Sequence, residues 1–290
     1  MIAERYAPGN GVDTPMIGNS LTKSVISTLI GILVRQGRLS PDQPAPIPAW
    51  CSPDDPRHGI TMDNLLRQNS GLDIDETGSG FDPVSRMLML EPDMAGFAEA
   101  MPLAAPPGSR WRYTSGNYVI LSRILRDAVG GNADAVLRFT RRELFDPLGM
   151  RAVTLEFDAR GTPIGSTFMF ATARDWARLG MLYLDDGIVD GHRILPEGWV
   201  QYVTSPTADS SYGYGAGWWT SLTPTGRDGK ETLLPPGAFF ANGRLGQFVV
   251  VVPSERLVVV RLGLTQTAGL GDDGSIPRLV SDVVIALHIK

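Results

Sequence analysis

The chain of 290 residues holds one cysteine and three histidines. A single thiol excludes an intrachain disulfide and any cysteine-cluster metal site. His58, His192 and His288 leave little room for a zinc enzyme, and Asp54, Asp55 and His58 read as a solvated turn, so no metal is expected. No apolar run approaches the roughly 18 residues of a membrane span. The longest strand-like runs, Phe248–Val252 and Leu257–Val260, are far too short. A net charge of −5 offers no footprint for nucleic acid. Met1–Asn10 has neither a basic n-region nor an apolar h-region, so the sequence as given predicts a cytoplasmic protein. Met1–Tyr6 reads as a strand entered midway, and export stays open if a segment precedes it.

Lysine is the scarcest of the common charged residues. Of 26 basic residues, 23 are Arg, and the lysines are Lys23, Lys230 and Lys290. Lys290 ends the chain and Lys230 closes a polar turn, Gly226–Lys230. Lys23 sits inside an apolar segment. A guanidinium stays protonated, whereas a buried ammonium can lose its proton and act as a base.

What the chain has in quantity is ordinary globular material. Apolar residues are 43% and charged residues 20%, which argues against disorder and coiled coil. The 33 Gly and 22 Pro predict a loop-rich fold. The length suits one large or two modest domains of roughly 100–200 residues each. Ser20–Gln36 predicts a helix that is apolar nearly all round, hence buried, with Gly37 as its stop. A Pro-rich connection, Pro41–Pro56, follows. Thr61 reads as the N-cap of a short helix over Met62–Gln68. Further helices are predicted at Pro83–Leu90, Met94–Ala100, Tyr118–Val129, Ala133–Leu144, Ala173–Leu184 and Pro277–His288. From about residue 186 the pattern turns to strands: Tyr212–Thr220, Ala238–Phe240, Gln247–Val252 and Leu257–Leu264. The expected architecture is α+β, an antiparallel sheet flanked by helices and interrupted by a helical subdomain. The sheet part takes residues 1–60 and 186–290, the helical insertion 61–185.

Ser20 and Lys23 are three residues apart, about 60° around a helix and one turn along it, within hydrogen-bond reach. A serine at a helix start also presents an unpaired backbone N–H. Nucleophile, base and half an oxyanion hole thus fit in four residues. The pattern alone is suggestive, since 19 Ser and three Lys give about 0.2 chance matches to S-x-x-K. A tyrosine beside such a pair can share its proton, and Tyr113 precedes the Tyr118 helix, with Ser115 two residues on. Arg244-Leu245-Gly246-Gln247 leads into a strand; Gly246 permits close approach, and the Gln247 N–H is a candidate second oxyanion donor. Trp218, Trp219, Phe168 and Met169 are candidates for either an apolar pocket or core.

The trio Ser20-Leu21-Thr22-Lys23, Tyr113-Thr114-Ser115 and Arg244-Leu245-Gly246 resembles the three motifs of the penicillin-recognising serine hydrolases, which include class C β-lactamases, DD-peptidases, β-lactamase-like esterases and 6-aminohexanoate-dimer hydrolases. Ile60–Leu66 running to Ser70-Gly71-Leu72, Asp146–Met150 and Ala173–Gly180 extend the likeness over almost the whole chain. Tyr212–Gly217 and Gly246-Gln247 look like the esterase and 6-aminohexanoate-dimer hydrolase branch. The resemblance implies a β-lactamase/transpeptidase-like fold and no cofactor. Ser20 would be the acylated nucleophile. Lys23 would take its proton, or hold Tyr113 as a phenolate to do so, and Tyr113 would hand a proton to the leaving group. The Ser20 and Gln247 N–H groups would form the oxyanion hole, and Ser115 would bridge to Lys23. The second motif usually ends in Asn, and the third is usually Lys-Thr-Gly or His-x-Gly. These departures favour small esters or linear amides over β-lactams and peptidoglycan peptides, with Arg244 left to pair with a substrate carboxylate. A catalytically weak penicillin-binding module is the competing expectation from another class. Oligomeric state is not legible.

Overall fold

A computed structural model describes residues 1–221, 234–265 and 275–289. The turn expected at Gly226–Lys230 and the terminal Lys290 lie outside the described residues. The chain enters through a short strand, β1 (Met16–Ile17), then α1 (Leu21–Arg35). Helices α2 (Met62–Leu66), α3 (Pro83–Leu90), α4 (Met94–Glu99), α5 (Ser115–Val129) and α6 (Ala133–Thr140) follow. Strands β2 (Thr154–Leu155) and β3 (Met169–Ala171) precede α7 (Ala173–Leu184). After the hairpin β4 (Ile188–Val189) and β5 (His192–Arg193) come α8 (Trp199–Thr204), the main strands β6 (Phe239–Gly243), β7 (Gln247–Val252) and β8 (Leu257–Arg261), and α9 (Ser275–His288).

Local chemistry sets the boundaries. Thr61 closes a capping box with Asn64 at the head of α2. Asp82, Asp93, Asn132 and Thr172 each accept a backbone N–H at the start of α3, α4, α6 and α7. Beyond Thr140 the helix α6 widens into one π turn, Arg141–Phe145, where a continuous helix to Leu144 was expected. No strand forms at Met1–Tyr6; Glu4 instead pairs with Arg174 on α7.

Helix α1 is buried at every position from Leu21 to Leu33, as its all-round apolar sequence requires. It packs on β6, β7 and α5. Each fully buried Leu or Ile contributes about 1.5–3 kcal/mol. The polar residues in this interior are hydrogen-bonded, which removes most of their burial cost: Ser24 and Ser27 donate to the carbonyls of Gly217 (2.6 Å) and Ala216 (2.7 Å), and Thr28 bonds the hydroxyl of Tyr183 at 2.8 Å.

The sheet β6-β7-β8 is antiparallel, with Gly243 opposite Gln247 and Val249 opposite Val260. Helix α5 gathers α2, α3, α4 and α6 around it and meets α1. Helix α7 falls inside the span 61–185 expected to form the helical insertion, yet it packs on β7 and β8. Gly180 makes this contact possible: a Cβ there would lie 2.6 Å from Val258 and 3.0 Å from Val249. The run Tyr212–Thr220 is a bend rather than a regular strand. Tyr212, Gly213 and Gly217 take positive φ, and isolated bridges join Tyr214 to Trp219 and Trp219 to Phe240.

Candidate active site

The loop before α1 is built by close backbone packing. Gly18 donates to the Met169 carbonyl at 2.9 Å, and a Cβ on it would lie 2.3 Å from the Trp176 indole. Asn19, at φ 48°, turns the chain and donates through its amide to the Arg244 carbonyl at 2.9 Å. Ser20 is the N-cap of α1, but its hydroxyl makes no capping bond. It meets Lys23 instead.

Lys23 is 2% exposed. Its Nζ lies 3.0 Å from Ser20 Oγ, 3.2 Å from Ser115 Oγ and 2.9 Å from the Ser166 carbonyl. Burial pushes its pKa down to about 8, with the charge of Glu76 opposing. The Tyr113 ring centroid lies 4.8 Å from Lys23 Nζ. Burial raises the Tyr113 pKa well above its ordinary value and Glu76 raises it further, against the effect of Ser20. Phenolate is therefore disfavoured, and Lys23 is the group of the pair that becomes a free base near neutral pH. Beside Tyr113 stand Trp219, with ring centroids 5.4 Å apart, and Tyr214 at 5.7 Å, backed by Trp111 and Tyr212. Trp218 is core, packed on Tyr183 and Phe239.

Ser115 is the first residue of α5, three positions before the expected start. Thr114 caps the helix by accepting from the Gly116 N–H. Gly116 fits because a Cβ would lie 2.6 Å from Ile74. Gln68, at φ 65°, holds this segment: its Oε1 accepts from the Thr114 N–H at 3.2 Å and from Asn117 at 2.8 Å. Gln68, Glu76 and the Ser166 carbonyl escape sequence reasoning. Glu76 lies in a stretch without periodicity, and a backbone carbonyl has no side-chain signal.

The third segment differs from expectation. Phe240 exchanges both backbone bonds with Trp219, at 2.8 Å each. Strand alternation then turns Asn242 and Arg244 to the same outer edge, where the Arg244 carbonyl meets Asn19. Gly243 faces inward and pairs with Gln247, so the Gln247 N–H belongs to the β6–β7 ladder. The N–H of Arg244, next to the carbonyl that meets Asn19, is the candidate donor beside the serine loop. Gly246 serves the turn, at φ 82° beneath the Arg261 guanidinium, which donates to its carbonyl at 2.6 Å. Close approach to the serine loop is the part of Gly243, where a Cβ would lie 2.1 Å from the Gly18 carbonyl oxygen. The Arg244 side chain is exposed and reaches toward Gly78.

Residues 4–284 match the Beta-lactamase family. The chain belongs to the Beta-lactamase family. Within it, the chain is 26% identical over 218 residues to a 6-aminohexanoate-dimer hydrolase of Paenarthrobacter ureafaciens, an alignment covering 70% of this chain and 54% of that protein. The chain thus spans about half the length of that curated relative. A Bacillus anthracis structure assigned as a 6-aminohexanoate-dimer hydrolase superposes with a TM-score of 0.76 at 21% identity, over 98% of this chain and 75% of that one. A penicillin-binding protein homologue from Caulobacter crescentus gives 0.71 at 21% identity, over 94% and 84%. The β-lactamase-like mixed fold is thereby established. Among the described residues no helix is long and apolar enough to cross a membrane, and no group of three or more His, Cys, Asp or Glu is placed to hold a metal.

Proposed function

We propose that the chain is a serine hydrolase that cleaves small esters or linear amides through an acyl-enzyme on Ser20. The observation that carries this reading is the buried amine of Lys23, hydrogen-bonded to a serine hydroxyl that no capping bond occupies.

Neutral Lys23 has two N–H groups and one lone pair. Ser115 and the Ser166 carbonyl take the N–H positions, which leaves the lone pair facing Ser20. As Ser20 Oγ bonds to the acyl carbon, its proton passes to Lys23. The carbonyl oxygen becomes an oxyanion between the N–H groups of Ser20 and Arg244. Tyr113, a neutral phenol beside Lys23, gives its proton to the leaving oxygen or nitrogen and is reprotonated by Lys23. Hydrolysis reverses the relay: water loses a proton toward Lys23, attacks the acyl carbon, and Ser20 leaves with its proton restored. Trp111 and Tyr212, partly exposed beside the buried Trp219 and Tyr214, suit an apolar substrate portion.

The test is hydrolysis of p-nitrophenyl butyrate. Turnover is expected in the wild type and absent in Ser20→Ala, with a fluorophosphonate attached to Ser20 by peptide mass spectrometry. Turnover surviving in Ser20→Ala ends the proposal, and acylation without turnover favours the penicillin-binding module. The likeness to a 6-aminohexanoate-dimer hydrolase adds amides of that type to the substrates to be tried, with nitrocefin as the β-lactam comparison.

A further inference from the structure

Glu76 has no place in the relay above, yet it touches the site's framework. Its Oε2 accepts the backbone N–H of Ser115 at 2.5 Å, at the first residue of α5. That N–H is one of the orphan donors at a helix start, where a carboxylate is favoured by both the hydrogen bond and the helix dipole. Ser115 is also the residue whose hydroxyl holds Lys23. One bond therefore links the carboxylate to the segment carrying Tyr113 and Ser115, and places a negative charge beside both proton carriers.

We propose that Glu76 is a positioning residue, which anchors the Tyr113–Ser115 segment through the Ser115 N–H and acts on Lys23 through its charge.

The surroundings of Lys23 leave this charge without a competing ion pair among the groups that touch the amine. Lys23 faces Ser20 on its own helix, Tyr113 and Ser115 at the head of α5, and the Ser166 carbonyl from the loop before β3. None of these carries charge while Tyr113 remains a phenol. Among the described residues Glu76 is the charged group that acts on Lys23, and it also acts on Tyr113, favouring the protonated form of each. Arg244 also reaches this loop, with its guanidinium nitrogens 3.9 Å from the Cβ position of Gly78. Burial pulls the amine toward neutrality and Glu76 pulls it back; the working pH reflects both.

The experiment uses the scarcity of lysine. Lysine labelled with 13C at Cε gives signals from only Lys23, Lys230 and Lys290, and Lys23→Ala identifies the one of interest. The Lys23 signal is followed against pH in wild type, Glu76→Gln and Glu76→Asp. Glu76→Gln keeps an acceptor for the Ser115 N–H but removes the charge, so Lys23 is expected to titrate about half a pH unit lower. Glu76→Asp keeps the charge and is expected to stay near the wild type. The acid limb of kcat/KM should move the same way in Glu76→Gln. An unchanged Lys23 midpoint in Glu76→Gln overturns the proposal, as does an equal fall in both variants, which would make the bond geometry rather than the charge responsible. The kinetic arm rests on the acyl-enzyme reading, but the titration does not: a wild type without turnover defeats that reading and leaves the Glu76 result standing on its own.

Discussion

Gly243 and Gly18 meet backbone to backbone, with no space between them for a methyl group. This contact sets strand β6 against the loop that presents Ser20. Gly243→Ala is expected to cost about 1–3 kcal/mol of stability and to lower kcat by at least tenfold, because the outer edge of β6 must move away from the nucleophile. Gly246→Ala strains a turn at positive φ and should cost about 1 kcal/mol with kcat nearly intact. Urea unfolding and ester turnover on both variants give the comparison; a larger kcat loss in Gly246→Ala would contradict the assignment of the two glycines.

Activity should follow the free-base form of Lys23. The expected kcat/KM rises tenfold per pH unit below about 8 and levels above it. Raised as it is, Tyr113 should produce no alkaline fall below pH 10. Lys23→Arg cannot release its proton and should lose at least about 10³-fold. A wild-type profile already flat at pH 6 would remove Lys23 from the role of base.

The same amine carries a stability signature. Its folded pKa of about 8 lies below the ordinary lysine value of 10.5, so the folded state binds the proton less readily than the unfolded chain. The resulting cost, on the order of 3 kcal/mol, is fully present below pH 8 and fades as pH rises toward 10.5. Lys23→Met escapes it. The stability of Lys23→Met relative to wild type should therefore be greatest at pH 7 and fall steadily by pH 10.5, as measured by denaturant unfolding. A difference independent of pH would refute the depressed value.

Tyr113→Phe separates leaving groups. An amine must be protonated as it departs, whereas p-nitrophenolate leaves unaided. Amide turnover should fall about 10²–10⁴-fold and p-nitrophenyl ester turnover much less. Equal losses on both substrates would assign Tyr113 to packing or orientation.

The sequence made some of this architecture plain and hid the rest for identifiable reasons. Helix α7 has the bounds its periodicity predicts, and Thr61 is the cap its position suggests. The head of α5 was obscured because Ser115-Gly116-Asn117 has weak helix propensity; the Thr114 cap and the fit of Gly116 under Ile74 override it. The run Tyr212–Thr220 has the aromatic content of a strand, but its carbonyls at Ala216 and Gly217 are taken by hydroxyls of α1. In the site, Ser20 and Lys23 are one helical turn apart, so their contact is legible from spacing. The strand segment is not: Ala241-Asn242-Gly243 and Arg244-Leu245-Gly246 both end in glycine before a β run, and only the pairing of Phe240 with Trp219 decides which one borders the serine loop. Glu76 and Gln68 are brought in by loops, whose paths follow tertiary packing rather than periodicity.

The β6–β7 hairpin divides its labour between shaft and tip. The shaft borders the loop that presents Ser20, while the Arg244 side chain is exposed at the tip. On the proposed reading, new side chains at that apex would alter which molecules are admitted while the Ser20–Lys23 pair stays in place, which gives a scaffold of this kind a place to diversify.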